Sequence, residues 1–94
     1  SKMKQIERIS YMEQLFDFIS TTMQKPSINH EQYEETQKAI AVLSDYYSSN
    51  EWKQDYTDDE EGRLPKDLKR GVLSEDGIWN LLSEWHEWKQ QHQQ

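Results

Sequence analysis

The residues best placed to do chemistry are carboxylates. Asp55, Asp58, Asp59, Glu60 and Glu61 crowd into one short stretch that Gly62 closes. Carboxylate oxygens bind hard cations such as calcium or magnesium, and Asp55, Asp59 and Glu61 are the ones such a site would use. The spacing departs from an EF-hand loop counted from Asp55: Thr57 stands at its third position, Glu60 at its sixth in place of glycine, and Lys66 at its twelfth in place of glutamate. Arg63, Lys66, Lys69 and Arg70 follow closely. A solvated acidic loop, partly neutralised by these cations, is therefore favoured over a metal site, and no metal or cofactor is expected.

Other constellations are weaker. His30-Glu31-Gln32-Tyr33-Glu34 has glutamate where the HExxH zinc motif needs its second histidine. The Glu-x-x-His spacing of di-iron bundles is absent, because Ser27, Ser83 and Lys89 stand three residues before the histidines. His30 and His86 read as surface residues. Lys69 and Arg70 before Gly71 suggest an anion grip at the start of the last helix. Glu75 and Asp76 at that same start repel an anion and favour local ion pairing. Ser74 has no nearby histidine and no nucleophile-elbow glycines. No group of residues supplies a nucleophile, a base and an oxyanion donor together, so a non-enzymatic protein is expected.

These residues must be positioned by a small fold. The chain has 94 residues and a formal charge of −7. Leu, Ile, Val and Phe number 17, a low share that with this charge leans toward disorder. Eleven aromatic residues and helical periodicity argue for a folded, ring-dominated core. There are no cysteines, which removes disulfides and thiol chemistry. The acidic balance disfavours a nucleic-acid partner. No apolar run approaches a membrane span and no signal peptide is visible, so a cytoplasmic protein is expected.

The periodicity predicts an all-α single domain over 1–94. Ile6, Ile9, Met12, Phe16, Ile19 and Met23 step by three or four, flanked by Tyr11, Leu15 and Phe18, which gives a helix over 4–24. Pro26 ends it. Asn29 as cap, Gln32 at the third helical position and the Ile28–Tyr33 staple start a helix over 30–48. Its stripe is Tyr33, Gln37, Ile40, Leu43 (or Ser44) and Tyr47, with Ala39, Val42 and Tyr46 beside it. Ser49 or Asn50 caps a short helix over 50–57 that sets Trp52 and Tyr56 one turn apart. An acidic loop and turn follow over 58–73: Pro65 opens a brief helix over 66–70 and Gly71 ends it in the left-handed conformation. Ser74 caps the last helix, 75–91, with Leu73 and Ile78 as its staple. Ile78, Leu81, Leu82, Trp85 and Trp88 form its stripe, and Trp79 falls outside it. Residues 90–94 are expected to fray. The architecture expected is a long antiparallel helical hairpin plus a C-terminal helix, a three-helix bundle with helical turns in the connector.

The string Arg70-Gly71-Val72-Leu73-Ser74-Glu75-Asp76, preceded by Leu64-Pro65, Asp59-Glu60, Asp55-Tyr56, Glu51-Trp52 and Asp45-Tyr46-Tyr47, resembles a family of small bacterial proteins, domain of unknown function 4298. Lys4-Gln5-Ile6-Glu7-Arg8-Ile9 and Met12-Glu13 are similar to that family's opening. Pro26-Ser27-Ile28-Asn29 and the Trp-rich tail resemble it less. The resemblance implies a stand-alone bacterial cytoplasmic protein and brings no substrate, cofactor or catalytic residue.

The function expected is a protein–protein interaction or accessory module, either with a partner or as a homo-oligomer, because helices of ~20 residues span about 30 Å. That is more apolar length than one further helix covers. The candidate contact residues are Trp79, Trp52, Tyr56, Lys69, Arg70, Glu75 and Asp76. Trp79 either packs on the Leu64–Leu68 connector or offers an exposed ring. The alternative is a ligand- or metal-binding regulatory module using the acidic loop and the Arg70–Asp76 junction.

Overall fold

A computed structural model describes residues 2–92, with side chains from Lys4 onward. Its helices are α1 (Lys2–Met23), α2 (His30–Tyr47), α3 (Asn50–Glu60) and α4 (Gly77–His92), with a single 3-10 turn at Gly71–Leu73. No strand occurs among the described residues. The molecule is an elongated body of 46 × 20 × 20 Å. α1 packs on both α2 and α4, and these two pack on each other.

Local chemistry sets most of the boundaries. Asn29 Oδ1 accepts from Gln32 N at 2.7 Å, and Gln32 Oε1 accepts from Asn29 N at 2.9 Å. This reciprocal capping box satisfies two otherwise orphaned amides and fixes the start of α2. Ser49 caps α3 by accepting from Trp52 N. α3 ends at Glu60, and Gly62 follows with φ 73°. That left-handed conformation suits glycine because no Cβ meets the carbonyl.

The helical periods converge on one core. Ile9 and Ile19 of α1, Leu43 of α2, Val72 of the 3-10 turn and Ile78 of α4 are fully buried. Ala39, Tyr46, Leu64, Leu73, Leu81 and Trp85 complete it. Trp85 is the largest of these side chains, and its indole N–H donates to Gln37 Oε1 at 2.6 Å. The pairing lets a polar ring tip sit inside without a lost hydrogen bond.

Four expectations are corrected. The acidic stretch is not a loop: α3 runs on through Asp58, Asp59 and Glu60, because its carboxylates find donors on α1 and in the connector. Residues 66–70 form no helix; Pro65 O accepts from Leu68 N in a single turn. Gly71 is not left-handed but opens the 3-10 turn, where its Cβ-less face lies against the Glu13 carboxylate. α4 begins at Gly77, not at residue 75. Ser74 Oγ does accept a backbone amide, that of Gly77 at 3.1 Å, while donating to Gly71 O. It therefore closes a turn ahead of the helix. At the other end α4 continues to His92, and Gln93 and Gln94, where fraying is expected, lie outside the described residues.

Candidate functional site

The charged residues singled out in the sequence gather where the start of α1, the end of α2, α3 and the connector meet. Asp55 is wholly buried. Its Oδ1 accepts from Arg8 Nη2 at 2.6 Å and from Gln5 Nε2 at 2.9 Å. Its Oδ2 accepts from Tyr46 OH at 2.6 Å and from Arg8 Nε at 3.0 Å. The Arg8 contact is the two-pronged geometry that suits a planar guanidinium to a carboxylate. One turn on, Asp58 accepts from Gln5 Nε2 at 2.8 Å and from Arg63 Nη1 and Gln54 Nε2, each at 3.0 Å. The hydrogen bond from Gln5, helped by those from Arg63 and Gln54, holds the Asp58 carboxyl below its usual range. Burial, then the bond to Asp55, pushes the Tyr46 hydroxyl well above its ordinary value.

A second set fixes the connector. Arg70 pairs with Asp59 and donates to the carbonyls of Pro65 and Leu68. Glu13, buried on α1, accepts the amide of Val72 at 2.7 Å. Trp52 donates its indole N–H to Val72 O at 2.8 Å, stacks on Tyr56 at 5.1 Å and meets Tyr47 edge-on at 5.0 Å. Tyr56 OH donates to Glu75 Oε1, and Tyr47 OH to Glu75 O. Lys69 reaches across to Asp17 at 2.7 Å.

Every candidate at this junction is thus occupied by another part of the chain, apart from Asp76, which is exposed and whose carbonyl accepts the Asn80 amide of α4. Asp55, Asp59 and Glu61 do not converge: Asp55 faces Arg8, Asp59 faces Arg70 and Glu61 faces Arg63. No cluster of metal-ligating side chains occurs among the described residues. The carboxylates act here as acceptors that tie α3 and the connector to α1.

Trp79 stands apart. It is 60% exposed and lines a shallow depression with Leu82 and His86 on the outer side of α4. Trp52, and not Trp79, covers the connector, because its position on α3 lies directly over the 3-10 turn.

Sequence reading misses Gln5, Arg8 and Glu13 as partners, since each sits among polar residues beside an apolar stripe. The available signal is the matching three-residue step: Gln5 and Arg8 on α1 against Asp55 and Asp58 on α3. A further feature is the outer face of α1, whose residues the periodicity reads only as flanks that widen the apolar stripe. Tyr11 is 50% and Phe18 40% exposed, with half-buried Leu15 between them. These three line a groove of about 370 Å³ with Ala39, Val42, Glu35 and Lys38 of α2.

No helix among the described residues is long and apolar enough to cross a membrane. Among known proteins, no curated protein and no solved structure matches the chain. One family profile does match, over residues 9–94, a span that holds the whole junction except Gln5 and Arg8. The chain belongs to that family, described as a domain of unknown function (DUF4298).

Proposed function

We propose that the chain is a protein–protein interaction module, an α1–α2 hairpin backed on one side by α4, that docks an amphipathic helix of a partner on its other side. The observation that carries this reading is the Tyr11–Leu15–Phe18 row on α1, set over Val42 and Ala39 of α2 with none of the described residues covering it. Residues at three- and four-residue steps share one face, so the row is a continuous apolar strip of the kind that helix-in-groove recognition uses. Large aromatic rings held half out of a rigid helix are typical interface anchors.

Charge selects the occupant. Glu35 and Lys38 of the groove lining offset each other, so the charge of −7 on the whole chain sets the sign of the field. A partner helix with lysine or arginine beside its apolar stripe is complementary; a second copy of this acidic chain is not. The junction at Asp55, Asp59, Arg70 and Glu75 supports the module by fixing α3 and the connector rather than by binding. Asp55, Asp59, Arg70 and Glu75 each already bond to another part of the chain.

The test uses a labelled model peptide with leucine at helical spacing and lysine elsewhere, followed by fluorescence anisotropy. Binding is expected for the wild-type chain and not for the variant carrying Tyr11→Ser and Phe18→Ser, with both chains melting within a few degrees of each other. A matching leucine–glutamate peptide is expected not to bind. Equal binding by the double variant, or a dimer that dissociates on Phe18→Ser, overturns the choice of partner.

A further inference from the structure

At the far end of the bundle from the junction, the α1–α2 loop and the first turn of α2 face the last turns of α4 across a cleft of about 340 Å³. That volume lies at the small end of ligand sites. Ile28, Tyr33 and Trp88 give it apolar walls, and His30, Lys89 and His92 supply its nitrogen groups. We propose that this cleft binds a small apolar anion, a carboxylate or a phosphate monoester carrying an aromatic or aliphatic body, with Lys89 as its counter-charge. This goes beyond the docking groove and stands independently of it.

The charge pattern carries the inference. The chain has 18 acidic residues against 11 lysines and arginines, yet none of the described residues lining the cleft is a carboxylate. Lys89 is half-buried and makes no ion pair or hydrogen bond among the described residues. Lys25, Lys38, Lys53 and Lys66 also lack an ion pair, but all four are exposed, where water serves them fully. A lysine drawn partly out of water without a counter-ion gains from an anion at its side.

The neighbouring groups fit the same ligand. His92 Nδ1 donates to Trp88 O at 2.8 Å, which leaves Nε2 as the ring nitrogen open to a ligand. His30 makes no hydrogen bond or ion pair among the described residues. The amide of Gln32 at the start of α2 is already taken by Asn29. Both faces of the Trp88 indole are engaged, by Trp85 at 5.1 Å and His92 at 4.0 Å. The apolar body of the ligand therefore meets the indole edge, Tyr33 and Ile28 rather than stacking on Trp88.

The experiment is a two-dimensional NMR titration of the full chain with benzoate, phenyl phosphate and benzamidinium. Saturable shifts confined to Ile28, His30, Tyr33, Trp88 and Lys89 are expected with at least one of the two anions, with Kd on the order of a millimolar. The tighter of the two identifies the anion class. Lys89→Gln is expected to weaken binding by about tenfold, and His30→Ala to weaken it less, with circular dichroism unchanged in both. Three results overturn the proposal: no saturable shift by either anion up to about 50 mM, equal binding of benzamidinium, or binding unaffected by Lys89→Gln.

Discussion

Asp55 shows how a small acidic chain tolerates a charge in its interior. Each of its oxygens takes two hydrogen bonds, and the donors come from α1 and α2. Removing one partner of such a set strands the others, which costs more than the set itself contributes. Asp55→Ala is therefore expected to destabilise the fold by about 3–5 kcal/mol in urea denaturation. Tyr46→Phe leaves the Arg8 and Gln5 bonds intact and is expected to cost about 1.5–3 kcal/mol. Asp58 gives the junction an acid sensitivity. Its folded carboxyl titrates below the unfolded value of about 3.9, so its contribution is complete above that value. The contribution is lost as pH falls through the depressed folded value. Denaturation midpoints should drop as pH falls below about 4, and Asp58→Asn should flatten that limb. Tyr46 acts in the opposite sense: its raised value makes the stabilisation complete below about pH 10 and lost above it.

At the level of the elements, two glycines and two tryptophans distinguish corner from surface. Gly62 sits at φ 73°, and Gly62→Ala is expected to cost about 1–2 kcal/mol for the left-handed conformation alone. Gly77 is close-packed rather than left-handed. A Cβ there collides with Ser74 Oγ and Gly71 O, so Gly77→Ala is expected to cost about 1–3 kcal/mol by forcing the turn open. Trp85→Ala should cost about 3–5 kcal/mol, while exposed Trp79→Ala should stay within about 0.5 kcal/mol; thermal melts of the two variants check both. The sequence made the helices legible wherever caps and apolar periods agreed, as at Asn29–Gln32 and Ser49. It misplaced elements where a distant partner decides the outcome. Asp58 and Asp59 read as loop because Gln5, the donor that ties Asp58 to α1, lies 53 residues away and the pairing of Arg70 with Asp59 depends on how the connector folds back. Ahead of α4, Ser74 closes a turn by accepting from Gly77 N and donating to Gly71 O, and the helix begins only at Gly77. The candidate contact residues were recognised by type. The employment of Trp52, Tyr56, Lys69, Arg70 and Glu75 inside the chain became visible only once α1, α3 and the connector were brought together.

On the scale of the whole molecule, polar and apolar duties separate along a 46 Å body. One end is knitted by the Asp55 and Arg70 networks, the other holds the Lys89 cleft, and the α1–α2 face between them carries Tyr11, Leu15 and Phe18 uncovered. The core is lean, and the chain leaves the large rings of Tyr11 and Phe18 half-exposed on one strip. Net charge of −7 opposes self-association and favours a basic partner. The central claim, that this face and not the charged junction is where the protein meets its partner, is tested most directly by an amide chemical-shift map with the leucine–lysine peptide. The expected map is centred on Tyr11, Leu15, Phe18 and Val42 and is silent from Gly62 to Asp76. A map centred on Arg70–Asp76, with the α1–α2 face silent, would contradict it.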